Sequence, residues 1–268
     1  MSKHDNYLHF YGKNDEYITP PNQKKIPLPP PFIFYPNLLR IVLYSNRLAH
    51  LGKYNDFEWS NSSVDVLESL ERSGVQLHFS GMLNITKNEG PVVFASNHMS
   101  TLETMILPAI IQPMKRVVFV TKEELNKYPM FGPITSARDP IVVGRKNPRE
   151  DLRIVLEEGS ERIKNGKSVI IFPQKTRSIY FEPASFNSLG AKLAKRNNVP
   201  LIPIALVTDA WGNGKVVKEI GKIDTNKKVE ICFGEPIIVQ GNGAEEHQQV
   251  MDFIAAKFKM WGKEQFIR

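Results

Sequence analysis

One cysteine in 268 residues rules out an internal disulfide and any Cys-x-x-Cys metal site. That thiol, Cys232, sits in the alternating apolar run Val229-Glu230-Ile231-Cys232-Phe233 and reads as inert core. No uninterrupted apolar stretch reaches the roughly 18–20 residues of a spanning helix. The opening Met1-Ser2-Lys3-His4-Asp5-Asn6-Tyr7 mixes charges and has no apolar segment of a secretory signal. The expectation is a protein that stays in the compartment where it is made. Phosphate-loop, Gly-x-Ser-x-Gly and His-Glu-x-x-His motifs are missing, and Gly212-Asn213-Gly214 lacks the rest of a dinucleotide fingerprint and reads as a turn. No stacking-aromatic module for nucleic acid is visible, and no internal repeat.

What is present is an ordinary globular composition, 41% hydrophobic and 24% charged, with a formal net charge of +7 and a pI of about 9.3. The length suits one α/β domain with an extension, or two small domains. The positive balance fits an anionic partner: nucleic acid, an anionic membrane or a phosphorylated substrate. It equally fits simple solubility.

Residues 1–30 are polar and then proline-rich, ending in Ile26-Pro27-Leu28-Pro29-Pro30-Pro31, which predicts an irregular or extended arm. Phe32, Ile33, Phe34 and Tyr35 follow. Leu38, Leu39, Val42 and Leu43 then recur at helical spacing, with Arg40 and Arg47 close by. This is an amphipathic helix that either packs on the core or lies in a membrane interface. Asn61-Ser62-Ser63 can cap a helix with Val64, Leu67 and Leu70 on one face, ending near Gly74. Val75, Leu77 and Phe79 alternate as in a strand. Apolar runs over 91–95, 116–120, 168–172, 201–207 and 229–233 read as strands, with helical patterns over 152–164 and 245–263. The fold class is α/β, a central sheet flanked by helices, with an N-terminal amphipathic helical extension.

In Phe94-Ala95-Ser96-Asn97-His98-Met99-Ser100-Thr101-Leu102-Glu103 a buried strand ends in a polar turn holding a histidine, and a helix starts at Ser100 or Thr101. With His98 in the turn and Glu103 in the first helical turn, the carboxylate can fold back onto the imidazole. It then fixes the tautomer and makes the far ring nitrogen a better base. Taken alone, such a pair also arises by chance. Phe172-Pro173-Gln174-Lys175-Thr176-Arg177-Ser178 follows another buried strand and brings cations, hydroxyls and backbone amides to its end. That is either a phosphate cradle or a solvated loop.

Together these segments resemble the glycerolipid acyltransferase family, which includes the 1-acylglycerol-3-phosphate acyltransferases. The family's Asn-His-x-x-x-x-Asp block is matched by Asn97 to Glu103. Its lysine, Pro-x-x-Gly and later arginine are matched by Lys122, Pro129-Met130-Phe131-Gly132 and Arg145. Phe-Pro-Glu-Gly-Thr-Arg-Ser is matched by Phe172 to Ser178, and the Val-Pro-x-x-Pro strand by Val199 to Pro203. Phe233-Gly234-Glu235-Pro236-Ile237 fits the family's late strand and turn. Two departures stand out: Glu103 in place of Asp, and Gln174-Lys175 in place of Glu-Gly.

The resemblance implies His98 as general base toward an acceptor hydroxyl and Glu103 as the group that orients it. Lys122, Arg145, Gln174, Lys175, Thr176 and Arg177 would hold substrate phosphates. Acyl-CoA or acyl-acyl carrier protein would be the donor and a lysophospholipid the acceptor, with neither metal nor bound cofactor. Phe32, Phe34, Tyr35, Leu39 and Arg40 would face a membrane surface with anionic lipids, on its cytoplasmic side. Residues 1–60 would form the arm and membrane-facing segment and 61–268 the acyltransferase domain. The departures keep open another lyso-lipid or glycerol 3-phosphate as acceptor, and a non-catalytic lipid-binding relative.

Overall fold

The structure is a computed structural model that describes residues 15–214 and 220–268. The first residues of the expected arm lie outside them. The apolar runs form the middle of an eight-stranded sheet: Val93–Ser96 (β3), Val117–Lys122 (β4), Ser168–Ile171 (β6), Leu201–Val207 (β7) and Lys228–Phe233 (β8). Every residue of β3, β6 and β7 is buried, as continuous apolar strands covered on both faces must be. Glu16–Ile18 (β1) and Gln76–Ser80 (β2) complete one side and Ile141–Val143 (β5) the other, in the order β1-β2-β8-β7-β3-β6-β4-β5. Only the β1/β2 and β7/β8 pairs are antiparallel. Strands β7, β3, β6, β4 and β5 therefore run the same way, and their carboxyl ends share one edge.

Helix Asp56–Arg72 (α2) packs against both Pro30–His50 (α1) and Leu102–Ile111 (α3). Gly132–Ser136 (α4) and Pro148–Lys164 (α5) follow. Leu189–Asn197 (α6) and Ala244–Met260 (α7) pack on β3 and β7. Asn147 caps α5 through bonds from the Arg149 and Glu150 amides, so that helix begins at Pro148 rather than Leu152.

Three expectations about the N-terminal region are corrected. Pro30 and Pro31 do not prolong an irregular arm; they open α1, where their missing N–H groups would have had no helical partner anyway. Pro36 sits inside α1 and leaves the Phe32 carbonyl without its helical donor, at a point where the chain is exposed. The cap of α2 is Asn55, which accepts from the Glu58 amide at 3.0 Å. Asn61, the expected cap, is buried within the helix, and the expected division at residue 60 falls inside α2. Edge strand β1 lay within the arm and was not anticipated. It forms because Glu16, Tyr17 and Ile18 find β2 beside them.

The outward face of α1 also differs from expectation. Phe32 is 71% exposed and Leu39 52%, and Arg40 is exposed too. Phe34 is fully buried, edge-on against Trp211 at 4.9 Å. Tyr35 is half-buried and its hydroxyl meets the Gly221 carbonyl and the Trp211 indole N–H. Neighbouring positions on a helix point about 100° apart, so the five cannot share one surface. Phe34 and Tyr35 clamp α1 to the body, whereas Phe32, Leu39 and Arg40 look outward.

Candidate functional site

At the shared carboxyl edge, β3 runs out at Ser96 and the next side chain continues its ladder. The Asn97 amide nitrogen donates to the Leu206 carbonyl at 2.8 Å, and its oxygen accepts from the Leu206 amide at 2.9 Å. This amide bridge stands in for a strand residue and fixes the turn that follows. His98 is held by its own backbone: its N–H donates to Gln174 Oε1 at 2.7 Å, and its carbonyl accepts from the Ser178 amide at 2.9 Å. The block after β6 thus pins the turn after β3. Gln174 is buried, and its amide nitrogen donates to the Tyr180 carbonyl, a bond that a glutamate at this position could not make.

The His98 ring stacks on Phe172 at 4.3 Å between centroids, and Nδ1 lies 2.9 Å from Glu103 Oε1. Glu103 is 0% exposed, in the first turn of α3. Burial pushes its carboxyl upward, but the bond and charge of His98, the Thr208 hydroxyl and the Ser100 amide outweigh burial and hold it below the ordinary value. The carboxylate is therefore ionised, and Nδ1 carries the proton it donates. Nε2 is left as the acceptor, on a side chain 14% exposed. An imidazole held through Nδ1 by a buried carboxylate, with Nε2 left to accept, is built to take a proton.

The other anticipated residues distribute along the same edge. Arg177 donates from Nη1 to Thr101 Oγ1, beside the pair. Lys122 ends β4 and Arg145 follows β5, two and three strands from β3, or about 10 and 14 Å at ordinary strand spacing. Arg145 takes up a left-handed backbone at φ 55° and reaches across to the Lys175 carbonyl. Lys175 and Thr176 are exposed on the loop between. His98, Glu103, Gln174 and Arg177 are thus gathered at one point, with Lys122 and Arg145 extending away from it. In the Pro129-to-Gly132 block, a Cβ on Gly132 would stand 2.3 Å from the Asn126 carbonyl oxygen, so only glycine fits. Asn46 of α1 donates to the Pro129 and Met130 carbonyls at 3.2 and 2.9 Å, joining that loop to α1.

Thr208, Ser100 and the stacking role of Phe172 were not anticipated. Thr208 is the first residue past β7, and a hydroxyl there carries no local signal. A cavity of about 660 Å³ lined by Tyr54, Asp56, Arg116, Arg138, Asp139 and Lys167 lies at the amino ends of β4 and β6, away from all of these residues.

Residues 76–207 match the model of the Acyltransferase family, a stretch that contains the four main motif blocks. This segment is similar in sequence to the acyltransferase family. Over 171 residues the chain is 34% identical to a 1-acyl-sn-glycerol-3-phosphate acyltransferase of Pseudomonas aeruginosa, covering 64% of this chain and 63% of that protein. A chloroplastic 1-acyl-sn-glycerol-3-phosphate acyltransferase of Brassica napus is 30% identical over 137 residues, 51% of this chain and 38% of the relative. The alignments thus span less than two thirds of these curated relatives. The crystal structure of the 1-acyl-sn-glycerophosphate acyltransferase of Thermotoga maritima superposes with a TM-score of 0.56 at 21% identity, covering 85% of this chain and 96% of that one. That likeness shows the fold. In the acyltransferase segment both His98 and Glu103 lie within the matched residues, whereas α1 lies wholly outside them.

Proposed function

We propose that this chain transfers a fatty acyl group from acyl-CoA or acyl-acyl carrier protein to the free hydroxyl of 1-acylglycerol 3-phosphate, giving phosphatidic acid. The observation that carries the reading is the His98–Glu103 pair, with Nδ1 bonded to a buried carboxylate and Nε2 as acceptor. Nε2 takes the hydroxyl proton as the acceptor oxygen forms a bond to the thioester carbonyl carbon. The carbon–sulfur bond then breaks, and the departing thiolate takes the proton from the imidazolium. Glu103 balances the positive charge while it exists. Holding hydroxyl and thioester together supplies most of the acceleration, and the base adds about 10²–10⁴-fold. Arg177 lies nearest the pair, and Lys122 and Arg145 are spaced along the edge for phosphates of acceptor or donor.

Membrane contact falls to α1. Its outward face carries Phe32, Leu39, Leu43 and Tyr44 with Arg40 and Arg47, and the helix contains no carboxylate. No helix among the described residues is long and apolar enough to cross a membrane. The chain would sit peripherally on an anionic, cytoplasmic membrane surface with this face in the interface.

The test is purified protein with labelled acyl-CoA or acyl-acyl carrier protein and a panel of 1-acylglycerol 3-phosphate, lyso-ornithine lipid and glycerol 3-phosphate. The panel includes lyso-ornithine lipid because a lyso-ornithine lipid O-acyltransferase of Rhizobium meliloti is 28% identical over 88 residues. Preferential labelling of the first acceptor supports the proposal, preference for another corrects the acceptor, and no transfer to any sinks it.

A further inference from the structure

The two oxygens of Glu103 have different kinds of partner. Oε1 accepts three N–H groups: His98 Nδ1 at 2.9 Å, the Met99 amide at 2.6 Å and the Ser100 amide at 2.8 Å. All three come from the turn just before the helix, so chain-local geometry brings them there. Oε2 faces hydroxyls, Thr208 Oγ1 at 2.7 Å and Ser100 Oγ at 2.9 Å, and these hydroxyls are themselves 2.9 Å apart. Thr208 stands at the end of β7, 105 positions further along the chain. Among the described bonds to this carboxylate, it alone comes from the body of the sheet.

We infer that Thr208 is a positioning residue for the His98–Glu103 pair, and that it makes glutamate rather than aspartate the fitting acid at position 103. A carboxylate is planar and rigid. Once Thr208 holds Oε2, rotation about the last side-chain bond would cost that contact, and Oε1 stays on Nδ1. Thr208 has one hydroxyl proton and spends it on Oε2, while the single proton of Ser100 is divided among Oε2, Thr208 Oγ1 and the Thr208 carbonyl. Thr208 and Glu103 are both 0% exposed, so water has no access to replace a lost donor. An aspartate is shorter by one carbon–carbon bond, about 1.5 Å. If it kept the local amides it would fall short of Thr208. The longer acid and the strand-end threonine are therefore one device.

Around the carboxylate, His98 is the titratable side chain in contact. The rest of the shell is the Met99 and Ser100 amides and the two hydroxyls, with Arg177 reaching the adjacent Thr101. Removing the Thr208 proton leaves the carboxylate more basic, so the pair takes up a proton at higher pH.

The kinetic arm of the test rests on the acyl-transfer reading; the spectroscopic arm does not. With the proposed acceptor, Thr208→Val should lower kcat about tenfold to hundredfold, the loss of one hydrogen bond to a charged group. KM should hold, and the acid limb of the kcat profile should move to higher pH. Thr208→Ser should return close to the parent rate. In a Glu103→Asp background, Thr208→Val should add nothing further. Imidazole nitrogen NMR at neutral pH should place the His98 proton on Nδ1 in the parent and show mixed tautomers in Thr208→Val. A valine variant with the parent's kcat and acid limb overturns the inference, as do a serine variant as slow as valine and fully additive effects in the Glu103→Asp background. If the parent transfers no acyl group, the function reading fails and NMR alone decides. An unchanged Nδ1 proton in Thr208→Val then overturns the positioning role, and its loss supports it.

Discussion

Opposite edges of one sheet each hold a carboxylate with nitrogen donors around it, and the two are built differently. At the carboxyl edge, Glu103 is sealed from solvent and surrounded by neutral amides and hydroxyls, with a single imidazole as its titrating partner. At the amino edge, Asp56 is 35% exposed and bonded by two guanidiniums, Arg116 at 3.0 Å and Arg138 in closer contact. Arg138 also stacks over Trp59 at 4.7 Å and donates to the Tyr54 carbonyl, and Asp139 nearby pairs with Lys167 and Arg162. A carboxylate held by arginines has its charge cancelled by groups that never release a proton near neutrality. One held by neutral donors keeps its charge for whichever partner titrates. The cavity of about 660 Å³ opens beside the first kind, not the second. Volume alone points to the amino edge, whereas the character of the carboxylate's partners points to the carboxyl edge as the place for a base.

The comparison is broken most sharply at His98. His98→Ala should lower acyl transfer by about 10²–10⁴-fold. The fold should survive, because the turn is held by the His98 backbone and the Asn97 side chain, which the substitution keeps. Radiolabelled transfer and a thermal melt on one preparation check both parts. The amino edge should show the converse. Asp56→Asn should destabilise by about 1–3 kcal/mol, from loss of a charged partner to a mostly buried Arg138. Turnover per folded molecule should be untouched, as read by urea unfolding beside kinetics.

A third region, the outward face of α1, sharpens the contrast because it has neither kind of carboxylate. Phe32→Ser with Leu39→Ser should weaken binding to anionic vesicles by about tenfold through lost apolar burial. Turnover on detergent-dispersed substrate should persist. Equal loss in both assays would make this face part of the fold and not a docking surface. The smallest effect is a slope. Since folding holds the Glu103 carboxyl below its ordinary 4.5, its contribution to stability is complete above that pH. It is lost as pH falls through the lower folded value. Acid melts of Glu103→Gln should fall less steeply than those of the parent over that window.

How much of this was legible beforehand follows the range of the interactions. The strand over 201–207 was read to the residue and that over 168–172 within one residue, because both, Ser168 apart, are apolar runs buried on both faces. The His98–Glu103 pairing was legible because both partners lie on one turn, and the order of the motif blocks pointed to the family. The opening of α1 was misread because proline density was weighed without regard to the first helical turn, where proline is tolerated. Phe34 and Phe32 are chemically identical and two residues apart, and nothing local says which of them Trp211 will cover.

By itself the sequence determined the α/β class, the central strands, the resemblance to acyltransferases and the acid–imidazole pair. Apolar runs and i-to-i+5 contacts are properties of neighbouring residues. Only the tertiary structure decided that Gln174 clamps the His98 turn and that Asn97 bridges to Leu206. It alone set Thr208 against Glu103 and split the aromatic cluster of α1 between core and surface. Each of these joins residues tens to more than a hundred positions apart. Such contacts exist only once the sheet has fixed which strand ends stand side by side.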